Sequence, residues 1–327
     1  MMLATVASAF ALLPLHAQVT FMGSNNFFKY FFTDTGFSSY DWRYEPQQTD
    51  LQRGQLKGSI VKVVTNITDK TGRGFGEHFT DTTYYDMNGN ITKIIAPKID
   101  AFNPQNKFRP DVWTYTYDTN GRLDSYTLLS ETDSYDGHYM TKTIHTMTKD
   151  INGNIVNENT RYFTQKQGKD WEDSNISNPL SWEFKYDSAG NLIGGKGYDL
   201  KLTYTNGRIS KMETDTKPVT YTYDAAGRLT NFKFYVIDGM DEEIYAETQT
   251  TLTYNQQGDI IKGVKSIWDC NANWVRKKII ESSTYTLNYT YDNQGNWTKA
   301  IVFSRYGKSK PKMAFTILRT ITYNNHE

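Results

Sequence analysis

The residues of this chain that could do chemistry are few and do not converge. Five histidines (His16, His78, His138, His145 and His326) and one cysteine, Cys270, are spread over 327 residues. They form neither a His-Glu-x-x-His pair nor a Cys-x-x-Cys half-site of the kind that holds zinc. His138 and His145 fall in one strand at opposite parity, so their imidazoles point to opposite faces. No Gly-x-Ser-x-Gly elbow or phosphate loop occurs, and Gly72-Arg-Gly74-Phe-Gly76 lacks the βαβ context of a dinucleotide fingerprint. The segments Asp86 to Asn90, Asp118 to Arg122 and Asp150 to Asn154 gather oxygen ligands as a calcium loop would. Their glycine sits at the fourth position, however, and the ligand order of an EF-hand is not met. Most aspartates are taken up in such turns, which leaves paired carboxylates for glycoside hydrolysis without support. The expectation is a protein with no catalytic residue, no cofactor and no metal.

Binding is what remains. There are seven tryptophans: Trp42, Trp113, Trp171, Trp182, Trp268, Trp274 and Trp297. Trp171 and Trp182 flank an irregular stretch, Asp170 to Pro179, and are the candidates to face a ligand with an amphipathic ring. Trp274 and Trp297 occupy places filled elsewhere by Leu or Ile and are expected in the core. Two basic stretches, Arg276-Lys277-Lys278 and Lys308-x-Lys310-x-Lys312, fall on nearby hairpins of the last four strands. They would either attract an anionic glycan or lipid headgroup or form a solvated edge whose lysines discourage aggregation.

The elements that must carry these residues are read from a repeat. Tyr85-Asp86-Met-Asn-Gly89-Asn-Ile91, Tyr117-Asp118-Thr-Asn-Gly121-Arg-Leu123, Tyr186-Asp187-Ser-Ala-Gly190-Asn-Leu192, Tyr223-Asp224-Ala-Ala-Gly227-Arg-Leu229 and Tyr291-Asp292-Asn-Gln-Gly295-Asn-Trp297 are copies of one heptad. Weaker copies surround Asp150 and Gly153, Asn255 and Gly258, and Gly207. Trp268-Asp269-Cys-Asn-Ala272-Asn-Trp274 reads as a decayed copy with alanine at the glycine place. Asp can hydrogen-bond the backbone two residues on, and Gly three places later accepts positive φ, which together make a type I turn closed by a G1 bulge. The heptad is a hairpin tip. Alternation before each tip, as in Tyr115-Thr-Tyr117, Tyr221-Thr-Tyr223 and Tyr289-Thr-Tyr291, makes strands with one packed face and one wet face.

Glycine spacing gives the topology. Gly121 and Gly153 are 32 residues apart with Gly137 midway, and the intervals from Gly190 to Gly207 and on to Gly227 are 17 and 20. Reversals about every sixteen residues predict fifteen turns and sixteen strands of about eight to twelve residues. The fold class is therefore all-β: a long antiparallel meander forming a curled, twisted, partly wrapped sheet, its concave face lined by tyrosines, Ile and Leu.

Composition agrees. Lys and Arg balance Asp and Glu at 36 each, which argues against a nucleic-acid partner, and 24 Tyr with 23 Gly beside 8 Pro suit strands and tight turns. The uncharged apolar run Leu3 to Leu15, ending in Leu15-His16-Ala17, reads as a signal peptide over residues 1–17, although no Lys or Arg precedes it; the alternative is a buried N-terminal strand. No later stretch reaches the roughly 20 apolar residues of a membrane-spanning helix. Residues 18–56, with the Phe27-Phe28-Lys-Tyr30-Phe31-Phe32 run, form a lead-in or cap, and residues 57–327 the repeat domain.

The Tyr-Asp-x-x-Gly-Arg/Asn-Leu heptads resemble the YD (RHS) repeats of bacterial surface and secreted proteins. Leu56-Lys-Gly58-Ser-Ile60-Val61-Lys-Val63 also looks like the opening strand of small secreted members from Gram-negative bacteria. In large relatives the repeats wrap a shell around a C-terminal toxin and end in a processing core; here a half-repeat, Ile321-Thr-Tyr323, takes that place. The resemblance implies the fold and export and does not extend to a toxin role. The leading reading is a non-enzymatic binding module for a carbohydrate; the alternatives are a structural or assembly protein whose sheet, or exposed first and last strands, pairs with an envelope protein, and, more weakly, a polysaccharide-active enzyme.

Overall fold

The computed structural model describes residues 56–324 except 72–77, 98–108, 135–136, 167, 175–179, 197–200, 214–216 and 239–243. The expected signal peptide, the cap up to residue 55 and Trp42 lie outside the described residues, as do the turns expected near Gly74, Pro104 and Gly239.

Nineteen strands and no helix are found among the described residues. The chain opens with β1 (Ile60–Asp69), β2 (His78–Tyr85), β3 (Ile91–Ala96) and β4 (Asp111–Tyr117). Three long strands follow, β5 (Leu123–Ser134), β6 (Gly137–Lys149) and β7 (Ile155–Lys166), then the two-residue β8 (Glu172–Asp173) and β9 (Leu180–Tyr186). A run of short strands comes next: β10 (Leu192–Lys196), β11 (Leu202–Thr205), β12 (Arg208–Met212) and β13 (Val219–Tyr223). The last wall is tall, with β14 (Leu229–Asp238), β15 (Ile244–Tyr254), β16 (Ile260–Cys270), β17 (Arg276–Tyr291), β18 (Trp297–Tyr306) and β19 (Lys312–Tyr323).

All pairings are antiparallel and join chain neighbours, except that β7 also pairs with β9 and that β1 pairs with β19 as well as with β2, which changes the shape. The meander thereby returns to its start in a barrel-like ring. It is more closed than the partly wrapped sheet predicted above, and its thinnest seam is between β10 and β11, joined by the bridge Gly194↔Lys201. An antiparallel meander can close this way only with an even number of strands. The count is even because β8 adds to the outer end of β7 while β9 pairs with the rest of it.

Each heptad is a hairpin tip, as predicted. In the second, the Gly121 N–H donates to the Asp118 carbonyl at 2.9 Å, and Asp118 Oδ1 accepts from the N–H groups of Asn120 and Arg122, both at 2.9 Å. Gly121 has φ of 73°, and the ladder bulges between Thr116 and Tyr117. The same bonds recur at Asp86 and Gly89, Asp150 and Gly153, Asp187 and Gly190, and Asp292 and Gly295, and the backbone pair at Asp224 and Gly227. Since tips alternate with other turns, the glycine tips share one rim.

The strand count differs from the predicted sixteen because the short intervals around Gly207 separate tips on the same rim. Each must therefore hold an extra reversal at the far rim. Those reversals lie between β10 and β11 and between β12 and β13, where the sequence carries no copy of the heptad, and they leave β10 to β13 only four or five residues long. With the break between β8 and β9 they account for the three additional strands.

The core fills the ring from inside. Ile94, Leu123, Leu192, Phe232, Leu252, Leu287, Trp297, Val302 and Ile317 belong to one buried cluster, and Tyr115, Tyr117, Tyr186, Tyr223, Tyr289 and Tyr291 pack against it. Neighbouring tips are tied by the heptad tyrosine, whose hydroxyl donates to the carbonyl two residues past the preceding tip glycine. These bonds are Tyr117 to Ile91 at 2.8 Å, Tyr186 to Ile155 at 2.8 Å, Tyr223 to Ile209 at 2.8 Å and Tyr254 to Leu229 at 2.6 Å. Where the tyrosine is lost, Lys149 replaces it and reaches back to Asp118 Oδ2 at 2.8 Å and the Arg122 carbonyl at 3.3 Å. Asn296 closes the rim: its side chain accepts from the Lys57 N–H and donates to the Lys57 carbonyl and Tyr323 hydroxyl, each at 2.8 Å.

Two outcomes follow. Tyr117→Phe is expected to cost about 1 kcal/mol in urea unfolding, the worth of one hydrogen bond, whereas Asn296→Ala, which strips three from a buried site, costs about 2–4 kcal/mol. Equal effects would show that closure does not depend on Asn296. The pH dependence comes from the tip carboxylates. At Asp187 the Asn191 side chain and backbone, and at Asp224 the Arg228 backbone, hold the pKa below its ordinary value against desolvation. At Asp118 and Asp150 burial pushes upward but is outweighed by hydrogen bonds, from Lys149 and Arg122 in one and Asn154 in the other. The folded pKa values are depressed, so this stabilisation is complete above the unfolded value of about 3.9 and is lost as pH falls through the lower folded values. The urea midpoint should hold between pH 7 and 5 and drop below about pH 4. Replacing these four aspartates with Asn should flatten that drop, because Asn255 already fills the same place, accepting the Asp259 N–H at 2.8 Å.

Candidate binding surface

With the apolar side chains turned inward, the outer face is polar. Between the inward tyrosines stand exposed Thr114 and Thr116 on β4, Thr220 and Thr222 on β13, Thr251 and Thr253 on β15, and Thr286 and Thr290 on β17. Outer-membrane barrels alternate the other way, apolar outward and polar inward. This wall is built to face water. Among the described residues no helix is long and apolar enough to cross a membrane.

Among the described residues, aromatic groups interrupt the polar wall beside two turns, as well as at Tyr84 under Lys62. Trp171 precedes β8 and carries the Lys142 ammonium over its ring at 4.8 Å from the centroid. The same ammonium lies 4.9 Å from the Phe163 centroid, and the Arg161 guanidinium lies 5.1 Å from it. Arg161 in turn pairs with Asp173 at 2.6 Å, which pins β8 to β7. Trp171 therefore stands half-buried on the outer wall beside the irregular connection. The side chain of Trp182 lies outside the described residues. Lys142 and Phe163 are cross-strand partners, a register that the Asp150 tip sets by counting outward along both strands.

The second place is the β16–β17 turn. Here the tip geometry recurs, but two residues later than the repeat suggested. Asn271 takes the aspartate place, accepting from the N–H groups of Asn273 at 3.0 Å and Val275 at 2.9 Å, while the Trp274 N–H donates to the Asn271 carbonyl at 2.8 Å. Trp274 therefore fills the glycine place with φ of 61°. It is not a core residue as expected. Trp297 is, at 1% exposure, with the Arg319 guanidinium stacked 3.3 Å from its ring centroid.

The basic stretches are only partly free. Arg276 donates to the buried Glu247 carboxylate through Nε at 2.9 Å and again through Nη2, and to Gln249 at 2.7 Å, and it lies 4.6 Å from the Trp268 ring centroid. Lys277, Lys278, Lys308, Lys310 and Lys312 are exposed. The two stretches stand at different heights: Gly307 docks on Ser282, which places the lysine tip four residues, or roughly 13 Å, below Lys278. They do not form one patch.

Titratable groups elsewhere are engaged in structure. His145 faces inward, with Nδ1 2.8 Å from Glu158 Oε1, and its ring stacks on Tyr126 at 4.1 Å. His138, on the opposite face as predicted, pairs with Glu131 at 3.3 Å. Burial raises the Glu131 pKa, but the Arg109 N–H and His138 more than offset this and leave it lowered. At Cys270 burial, then Glu247, pushes the thiol pKa up.

No family model matches this chain, and no curated protein does. Among solved structures, a porin-like protein from Bacteroides vulgatus ATCC 8482 superposes with a TM-score of 0.29 at 12% identity, over 81% of this chain and 98% of that one. A porin-like protein from Bacteroides uniformis ATCC 8492 gives 0.25 at 12% identity over the same shares. The Photorhabdus luminescens Tc holotoxin pore gives 0.23 at 13% identity, over 82% of this chain and 20% of that one. Superpositions this loose transfer no function.

Arg276 and Lys277 separate on mutation. Arg276→Ala leaves the buried Glu247 carboxylate with Lys233, 3.7 Å away, as its remaining cation and should cost about 2–3 kcal/mol in chemical denaturation. Lys277→Ala should stay within about 0.5 kcal/mol. Equal small losses would mean that Arg276 is as available to a ligand as its neighbours.

Proposed function

We propose that this chain is an exported YD-repeat module that acts without catalysis as a carbohydrate-binding platform of the cell envelope or exterior. The observation that carries the reading is Trp171: a half-buried indole on a water-facing wall, braced by Lys142 and set beside Phe163 and Arg161. A flat ring fixed on a rigid sheet stacks on the apolar face of a sugar, and the neighbouring cations suit an acidic one. The aspartates that would otherwise invite metal or hydrolytic chemistry are engaged in tip hydrogen bonds.

A second reading, docking of an envelope protein, is favoured by one feature. The first and last strands pair with each other, so they offer no edge of the kind that reading first suggests. One edge among the described residues is on β17, whose residues 276–281 pair with β16 but extend past β18, with Val275 and Ile279 exposed. Strand addition there would be blocked by Ile279→Pro.

The deciding experiment screens purified protein against soluble polysaccharides and a glycan array at physiological salt, with calcium and with chelator. The expected result is a saturable, calcium-independent hit that Trp171→Ala weakens about tenfold. A blank on folded protein would end the carbohydrate reading, and loss of a protein partner on Ile279→Pro would replace it with the second.

A further inference from the structure

Trp274 stands where a tip geometry asks for glycine. Seven repeat tips of this hydrogen-bonding form place glycine there, at φ between 73° and 94°. The eighth turn of the same form, on the far rim, instead forces an indole into the left-handed region. A side chain there carries a Cβ penalty that glycine would not, and the turn bonds use only the backbone and Asn271. The indole must be accounted for by what its ring does.

The ring builds a box. Tyr235 on β14 meets it at 5.0 Å and 78°, and Tyr245 on β15 meets it at 5.2 Å and 88°, so both tyrosines stand nearly perpendicular to the indole. All three rings are half-buried, and both tyrosines belong to the outward-facing set of their strands. A cation already uses the box: Lys217 Nζ lies 5.3 Å from the Tyr235 centroid and 5.7 Å from the Trp274 centroid, inside the roughly 6 Å reach of a cation–π contact. Behind the rings Glu247 accepts from the Tyr235 hydroxyl, and its charge is balanced by Arg276 and Lys233.

We propose that Trp274, Tyr235 and Tyr245 form an aromatic cage for an alkylated ammonium group, with Lys217 as an internal cation that a ligand displaces. A primary ammonium is compact and strongly hydrated, so it is held weakly among rings. A quaternary ammonium gives up less hydration and presents more surface to the same π faces. The site lies apart from the Trp171 wall and does not depend on the carbohydrate reading.

The test titrates the full chain by calorimetry with choline, phosphocholine and trimethyllysine, and with 3,3-dimethylbutanol, the uncharged isostere of choline. The cage should bind at least one of the ammonium probes, and the isostere roughly tenfold more weakly or not at all. Lys217→Gln should tighten binding about tenfold by removing the competing cation. Trp274→Gly should abolish it while keeping the circular dichroism spectrum and a melting temperature at or above the parent's, since glycine is the natural occupant of this turn. Tighter binding of phosphocholine would assign the ammonium to a lipid or glycan headgroup, and of trimethyllysine to a modified peptide. Absence of binding in Lys217→Gln, equal affinity for the isostere, or retention of binding in Trp274→Gly would overturn the proposal.

Discussion

The hydrogen bond from a tip tyrosine back to the preceding tip is the constraint on which this architecture depends. A hairpin fixes only its own two strands; how one hairpin sits against the next is decided by contacts remote in sequence. The Tyr186 hydroxyl spans 31 residues of chain to reach the Ile155 carbonyl. It caps a backbone acceptor at the bulge, where the ladder is interrupted, and satisfies its own polar tip while the ring stays in the core. Lys149 shows that the contact matters more than the residue. Its ammonium crosses the same gap where the aromatic is missing, and adds an ion pair with Asp118.

Closure extends the same device to the chain ends. Tyr323 reaches Asp292 Oδ2 at 2.5 Å, as Tyr291 reaches Asp259 Oδ2 at 2.7 Å, so the last strand treats the eighth tip as its predecessor. Asn296 then fastens the segment before β1 to that same tip. A meander that ended without these contacts would expose two long edges, which natural sheets avoid. The ring is lopsided, with strands of ten to sixteen residues in the wall from β14 to β19 and four or five from β10 to β13. Its edges are consequently not abolished but moved to places where a tall strand outgrows its neighbour, as β17 does.

Much of this was legible because the repeat heptads are local. Asp118 and Gly121 announce their turn with no knowledge of the rest of the chain, and the alternation around Tyr117 then assigns faces. What could not be read depends on distance or on departure from the repeat. The intervals of 17 and 20 residues around Gly207 look like single crossings until the tips are known to share a rim. Trp274 was misplaced because Ala272 sits at the repeat's glycine position, while the turn that forms is chosen by Asn271, whose amide offers the two acceptor bonds. Arg276 looked like part of a basic run because its partner, Glu247, is 29 residues away on another strand.

The placement of recognition follows from what the repeat consumes. Inward positions are filled largely by tyrosine, leucine and isoleucine, with buried polar groups such as His145 and Glu158 paired among them, and the tip carboxylates are spent on backbone N–H groups. The outer face is dominated by threonine, which suits a strand but binds little. The outer positions that depart from this rule include Trp171 with Lys142 and Phe163, and the rings around Trp274, and both sit beside turns without a repeat glycine. Departures from a repeat are costly where the repeat is well adapted: the left-handed tryptophan is one, and the buried Glu247 that needs Arg276 is another. A repetitive sheet supplies rigidity cheaply, and its irregular far-rim turns are where such a molecule can differ from its neighbours without loosening the ties that hold the ring.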